Sequence, residues 1–260
     1  MNKKEFIKSV DCEDKTLLSN IYDKVLLSNK INNNIYLNEF YPPTIWKSLQ
    51  NISHSLNCEI GTFGVFRDSE RRMISILIDE GQDYVFNYPL NLIKINNKSS
   101  FSNLEHSDYL GALMALGVKR GKFGDLIVHD DTCYVPVSND ICSYVIENLD
   151  KIGKCPCSVH ILDLNEDIIP EYKFLEKTII TTSRRIDCVI AALCGISRNA
   201  SVEFIKKGKV LLDYHKVDNK DRLLNEGVVI TVRGYGKFKI LENVGKTQKD
   251  RFKVKIKKYI

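Results

Sequence analysis

Apolar residues along this chain recur with two different periods, and the changes of period divide it into three stretches. In residues 1–82 the period is at first helical. Phe6 and Ile7 fall on one short helix, and Leu17, Leu18, Ile21, Tyr22 and Val25 line one face of a second. Pro42-Pro43 opens another, with Ile45, Trp46, Leu49 and Ile52 as its apolar positions. Two strands are predicted next, over 60–66 and 73–78, on either side of the charged turn Arg67-Asp68-Ser69-Glu70-Arg71-Arg72.

In residues 83–165 strands and helices alternate. The pattern predicts a strand over 90–95 and a helix over 107–116 with Gly117 at its C′ position. Short strands over 125–129 and 133–137, joined by an Asp130-Asp131 turn, come next. A helix capped by Ser138 and a strand over 157–162 complete the order βαββαβ, which is ferredoxin-like or RRM-like. These strands lack the exposed aromatic pairs of an RNA-recognition motif. Residues 166–180 are acidic, contain Pro170 and have no clean period, so they are expected to form a linker.

The stretch 181–260 is the most legible. Ile186, Val189, Ile190 and Leu193 lie at i, i+3, i+4 and i+7 on a short helix that Gly195 ends. Ser197 is placed to cap a second helix, 198–207, with Gly208 after it, and Ala200, Phe204 and Ile205 would face the first. Strands follow: Val210 and Leu212 share a face, and so do Val228, Ile230 and Val232. In the closing strand Phe252, Val254 and Ile256 point one way and Arg251, Lys253, Lys255 and Lys257 the other. Side chains two apart on a strand are about 7 Å apart, so those cations form a row. The row suits either an RNA backbone or a soluble edge strand protected by lysines. The expected fold is therefore α+β throughout.

Charge sharpens the division. Thr181 to Ile260 carries 19 Lys and Arg against 8 Asp and Glu, a net of +11; the first 180 residues carry 19 cations and 25 anions, a net of −6. A basic stretch of this kind suits a polyanion, nucleic acid first, although a solvated lysine-rich face has the same composition. The start of the second helix offers free N–H groups and a positive dipole end, with Ser197 and Arg198 beside it. Arg184 and Arg185 precede the first helix, and Lys206, Lys207 and Lys209 flank the exit of the second. Arg233-Gly234-Tyr235-Gly236-Lys237 reads as a strand end and a glycine-rich turn, which makes Arg233, Tyr235 and Lys237 candidate RNA contacts. Asp187 could hold an arginine in position, or could serve only as a first-turn carboxylate favoured by the helix dipole; the second reading is slightly preferred.

The two helices and the strands after them resemble the small RNA-binding domain named after ribosomal protein S-four. The resemblance rests on Arg185-Ile186-Asp187, Ser197-Arg198 and Lys207-Gly208-Lys209-Val210, with Asp213 where that domain commonly has Asn. Upstream, Leu104-Glu105-His106-Ser107-Asp108-Tyr109-Leu110-Gly111-Ala112-Leu113, Leu116-Gly117-Val118-Lys119-Arg120 and Gly124-Asp125-Leu126-Ile127-Val128 are similar to the signature of the bacterial YlmH family. So are Asn38-Glu39-Phe40, Ser69-Glu70-Arg71-Arg72 and Thr231-Val232-Arg233-Gly234-Tyr235-Gly236-Lys237-Phe238. Gly61-Thr62-Phe63-Gly64 replaces the family's paired glycines and proline, and His106-Ser107-Asp108 departs from its usual His-Arg-Asp. The resemblance implies a ribosome-associated RNA-binding protein that recognises ribosomal RNA of the large subunit, with stranded peptidyl-tRNA as a further partner, in rescue and quality control of stalled translation.

No glycine-rich cofactor loop follows a strand, no Gly-x-Ser-x-Gly elbow is present, and the eight cysteines form no Cys-x-x-Cys pair. No catalytic residue, metal, cofactor or small-molecule substrate is expected. The N-terminus lacks the apolar core of a secretory signal and no stretch is long enough for a membrane span, so a cytoplasmic protein is expected. Two rival readings stay open: an RNA-modifying enzyme that uses the C-terminal domain for targeting, and a cell-division-associated adaptor that docks an acidic partner.

Overall fold

A computed structural model describes residues 1–78, 87–99 and 104–259. The chain is α+β and divides into two compact units, Met1–Glu171 and Tyr172–Ile260.

The first unit opens with α1 (Lys3–Ser9) and α2 (Lys15–Ile31), then β1 (Ile35–Tyr36) and α3 (Pro43–Ile52). Asp14 caps α2, its carboxylate accepting from the Leu17 N–H at 2.9 Å, and Asn32 ends the helix in the left-handed region. The apolar faces read from the sequence meet in one core: Phe6, Leu18, Ile21, Val25, Ile45, Trp46 and Leu49 are buried together. β2 (Glu59–Phe63) and β3 (Met73–Leu77) complete an antiparallel sheet of order β1-β3-β2 beneath them. Before the charged turn, Gly64 leaves room for Ser69, whose hydroxyl donates to the Gly64 carbonyl at 2.7 Å. A Cβ on Gly64 would lie 2.4 Å from the Ser69 Cβ and 2.9 Å from the Arg71 carbonyl oxygen. Gly64→Ala is accordingly expected to cost about 1–3 kcal/mol, read as a lower urea midpoint with an unchanged m-value.

The unit continues with β4 (Leu90–Asn97), α4 (His106–Ala115), β5 (Ile127–His129), β6 (Thr132–Ser138), α5 (Asn139–Asn148), β7 (Lys151–Ile152) and β8 (Cys155–Leu162). The sheet order is β5-β6-β4-β8-β7, with every pair antiparallel. Tyr109 and Leu113 of α4 and Cys142 and Val145 of α5 pack with Ile93, Ile95, Val135 and Val137, so both helices cover the same face of the sheet. The cap of α5 differs from expectation. Glu105 is the N-cap of α4, and its own N–H donates to the Asp108 carboxylate at 2.8 Å, while the Ser138 hydroxyl at the start of α5 donates to the Asn38 carbonyl instead of the helix.

That last bond crosses between the two stretches that the sequence pattern separates. The boundary expected at 82 and 83 lies outside the described residues, and the stretches on either side share a core. Phe40, Met73, Tyr88 and Leu90 form one buried cluster drawn from both. The Phe40 N–H donates to the Gly121 carbonyl at 2.6 Å, and the Glu70 and Arg71 N–H groups donate to the Asp125 carboxylate at 2.5 and 3.1 Å.

The second unit corrects the linker expected over 166–180. Phe174–Thr181 is a strand, β9, paired along eight residues with the closing strand. Only Ile179 and Thr181 of it are buried, which is why no clean period marks it in the sequence. α6 (Ile186–Cys194) and α7 (Arg198–Lys206) follow, the chain turning by 110° between them at Gly195. Next come β10 (Val210–Leu212), β11 (His215–Lys216), β12 (Val229–Val232), β13 (Gly236–Lys246) and β14 (Phe252–Tyr259), in the order β11-β10-β12-β13-β14-β9. Ile186, Val189, Ile190 and Leu193 pack on Val210, Ile230, Val232, Phe238, Val254 and Ile256, so the helices cover one face. β14 therefore lies inside the sheet, between β13 and β9, and its lysines do not guard an edge. Arg251 precedes it, in the turn where its N–H donates to the Thr247 hydroxyl, and leaves the expected row of four cations with three.

Candidate nucleic-acid interface

The α6–α7 corner is organised by a carboxylate buried beneath it. Ser197 caps α7, its hydroxyl accepting from the Ala200 N–H at 3.1 Å. Asp187, in the first turn of α6, has a side chain only 1% exposed. Its oxygens accept from Arg185 Nε at 3.2 Å and Nη2 at 3.1 Å, from Arg198 Nε at 2.8 Å and from the Cys188 N–H at 2.9 Å. Burial alone would raise the Asp187 pKa; the bonds from Arg198, Arg185 and Cys188 outweigh it and hold the carboxyl below its ordinary value. Of the two sequence readings of Asp187, the less preferred one describes the structure: it is the anchor of two arginines.

The ten candidate residues separate by what holds them. Arg184 and Arg185 are built into the unit. Arg184 Nη2 and Nε donate to the Leu224 carbonyl at 2.8 and 3.1 Å, and Arg185 also pairs with Asp221. Arg198, by contrast, spends its Nε on Asp187 while its side chain stays 55% exposed beside the start of α7. At the other end of α7, about 13 Å away for nine residues, Lys206, Lys207 and Lys209 are exposed, with Lys206 Nζ 3.0 Å from Glu203.

Arg233 joins that second group. Its N–H donates to the Lys209 carbonyl at 2.9 Å, and its side chain is exposed. Lys209 Nζ stands 5.3 Å from the centre of the Phe204 ring, and Phe204 meets Tyr235 edge to face at 5.7 Å. The glycine-rich turn makes this approach possible: Gly234 and Gly236 have φ of 87° and 113°, which let the chain reverse and bring Tyr235 back against α7. The end of α7 thus offers cations and an aromatic edge of the kind that meets a phosphate backbone. Lys237 is on the other side of the sheet, beside Tyr214 and Tyr259, and does not belong to this group. At the neighbouring turn, Asp213 and Tyr214 both take positive φ, and the Asp213 carboxylate accepts from the Val229 N–H at 2.9 Å; Asp performs there what Asn commonly would.

Sequence reading missed a second surface. On the face of the middle sheet away from its helices, Lys94, Tyr134 and His160 are directly paired across β4, β6 and β8. Lys94 Nζ is 5.9 Å from the Tyr134 ring, and His129 meets Tyr134 at 6.3 Å. A single central aromatic flanked by a cation and imidazoles stands where an aromatic pair had been sought. The signal was present as Lys94 and Tyr134 interrupting apolar runs, but only strand register shows that they are neighbours.

Several of the other segments that carry the family resemblance converge elsewhere, at the seam of the first unit. Arg71 Nη2 donates to the Phe40 carbonyl at 2.6 Å, and Arg120 Nη1 to the Phe123 and Gly124 carbonyls at 2.6 and 3.0 Å. Burial lowers the Arg120 pKa to about 10, the nearby Arg71 guanidinium adding to the effect and Asp125 opposing it. Trp46 Nε1 donates to the Glu70 carbonyl at 2.8 Å, and the Arg72 guanidinium lies 4.8 Å from the Trp46 ring. These arginines serve the architecture of the seam.

Comparison with known proteins adds three findings. Residues 84–166 match the family described as "Putative RNA-binding domain in YlmH". Over 218 residues the chain is 26% identical to the Bacillus subtilis (strain 168) "Ribosome-associated protein quality control protein P2", across 84% of this chain and 85% of that protein. The solved structure of "Cell division protein ylmH from Streptococcus pneumoniae" is similar in fold, with a TM-score of 0.50 and 20% identity over 61% of this chain and 96% of that one.

Proposed function

Because the chain belongs to the YlmH family, we propose that it is a non-catalytic, cytoplasmic RNA-binding protein acting in rescue and quality control of stalled translation. Its RNA is ribosomal RNA of the large subunit, with peptidyl-tRNA as a further partner. The name of the Bacillus subtilis relative supports the ribosomal setting. We read the middle strands as the ferredoxin-like, RRM-like arrangement, which their antiparallel order β5-β6-β4-β8 and the helices on one face support. The α6–α7 corner and its sheet are read as the S-four-type domain.

One observation carries the proposal: Arg198 stands exposed at the start of α7, held by the buried Asp187, and Lys206, Lys207, Lys209 and Arg233 are exposed around the end of the same helix. The helix spaces these two groups of cations along one line, which suits the spaced phosphates of an RNA backbone.

The experiment is co-sedimentation with ribosomal subunits across a salt series. Arg185 and Arg198 are poor choices for substitution, because each also holds Asp187. Lys207→Ala/Lys209→Ala/Arg233→Ala removes charge at exposed positions. Wild type is expected to travel with the large subunit carrying peptidyl-tRNA. The variant should bind on the order of 100-fold more weakly at about 0.1 M salt, with a log–log salt slope smaller by about 2–3. Equal binding by both proteins would remove this corner from the interface. A wild type that stays unbound at low salt would end the ribosomal reading.

A further inference from the structure

The C-terminal sheet has a second face, turned away from α6 and α7, and its composition is unlike that of an ordinary solvated surface. Residues directly opposed across strands share a face. Lys239 opposes Lys257, and Lys257 opposes Glu176; Lys255 opposes Thr178, and Lys253 opposes Ile180. Phe238, Ile240, Val254 and Ile256 alternate with these residues and are buried under the helices, so the lysines all point outward. Against them stands Glu176, paired with Lys255 at 3.1 Å, with Glu242 also acting on Lys255. The balance of the face is cationic.

Aromatic rings are set among these cations. Tyr259 opposes Phe174 and meets its ring edge to face at 5.1 Å, and Tyr172 lies 6.1 and 6.4 Å from the same two rings. Lys237 Nζ lies 5.3 Å from the Tyr259 ring and 5.9 Å from that of Tyr214, and Lys257 Nζ lies over Phe174. The rings are half-buried, and those of Tyr259, Tyr214 and Phe174 each have an ammonium group at hand.

We infer that this outer face is a second RNA surface, separate from the α6–α7 corner, and that it takes an unpaired strand. The inference rests on the reading of the protein as an RNA binder and extends it to a site and a class of ligand. Unpaired bases present π-faces that stack on Tyr and Phe, while their phosphates pair with the ammonium groups about 7 Å apart along each strand. A duplex keeps its bases stacked internally and can use only the lysines. An acidic peptide likewise has no use for the rings. The occupant that engages both features is a single strand. The arrangement also explains Lys237, which the helical corner leaves out.

The test uses the full chain and fluorescence anisotropy with a fluorescein-labelled 12-nucleotide single-stranded RNA, a 12-base-pair duplex RNA and a labelled polyglutamate peptide. Tyr259→Leu keeps apolar bulk and removes a stacking ring; Lys239→Glu/Lys257→Glu reverses charge and leaves the rings. Circular dichroism and the urea midpoint establish that both variants fold. Each is expected to lose about tenfold or more in single-strand affinity, and Tyr259→Leu should change duplex affinity by less than about twofold. The corner variant Lys207→Ala/Lys209→Ala/Arg233→Ala should retain most single-strand binding. If both sheet-face variants bind the single strand as wild type does, or if wild type holds polyglutamate as tightly as RNA, the inference is wrong. Single-strand binding through this face by a protein that ignores ribosomes would overturn the ribosomal reading and leave this inference standing.

Discussion

Asp187→Asn is expected to lower the stability of the C-terminal unit by about 2–3 kcal/mol at pH 7 and to weaken RNA binding with it. The substitution keeps the shape of the side chain and removes the charge that Arg185 and Arg198 share. Breaking a fully buried pair costs about 3–5 kcal/mol; here the arginines reach solvent and recover part of their hydration, which lowers the figure. An amide also turns a donor toward two guanidinium groups, so Arg198 should swing away from the start of α7. The pH dependence identifies the cause. The folded carboxyl has a lowered pKa, so its contribution is complete above the ordinary carboxylate value of about 3.9 and is lost as pH falls through the folded value. In urea unfolding of the full chain, the gap between wild type and Asp187→Asn should be constant from pH 7 to about 5 and narrow progressively as pH falls below about 4. A gap as wide at about pH 2 as at pH 7 would mean that the carboxylate charge is not what holds the corner.

The contrast between Asp187 and Lys237 shows what a sequence carries and what it conceals. Helix faces, caps and glycine stops were legible because they depend on residues three or four apart: Ile186 to Leu193, Ser197 with Ala200, Gly195 after Cys194. The exposed cations of the corner were legible for the same reason, since they flank one helix. Asp187 was underestimated because its partner Arg198 is eleven residues away, and the dipole argument needed only local information. Lys237 was grouped with Tyr235 by proximity in sequence, but the turn at Gly234 and Gly236 folds Tyr235 onto Phe204 while Lys237, in β13, lies beside Tyr214 and Tyr259. β9 was taken for linker because its value lies in its partner: eight residues of mixed polarity become a strand when β14 offers an edge. The Lys94–Tyr134–His160 row is hidden in the same way, since three strands must pair before it exists.

The same limit governs the first unit, and its seam gives the largest expected effect. Phe40→Ala should lower stability by about 3–5 kcal/mol, the usual cost of truncating a buried phenylalanine. Phe40 is 1% exposed and packs with Met73, Tyr88 and Leu90, while its backbone is fixed by the Gly121 carbonyl and the Arg71 guanidinium. Gly124 lies close enough that an added Cβ would be 3.1 Å from the Phe40 ring, so the surroundings are tight and fixed by backbone. They will not collapse readily into the space left, which places the cost toward the upper end of the range. The pattern of unfolding matters as much as the size. Trp46, the one tryptophan, is in the first stretch and donates to the Glu70 carbonyl, so its fluorescence reports on the seam, while far-UV circular dichroism reports on helices throughout. If residues 1–82 and 83–165 were independent domains, Phe40→Ala would shift the tryptophan transition and leave a separate, unshifted circular dichroism transition for α4, α5 and their sheet. Because Asp125 binds the Glu70 and Arg71 N–H groups and Ser138 binds the Asn38 carbonyl, the two stretches should instead unfold together. The tryptophan transition and the part of the circular dichroism change due to the first unit should then move by the same amount.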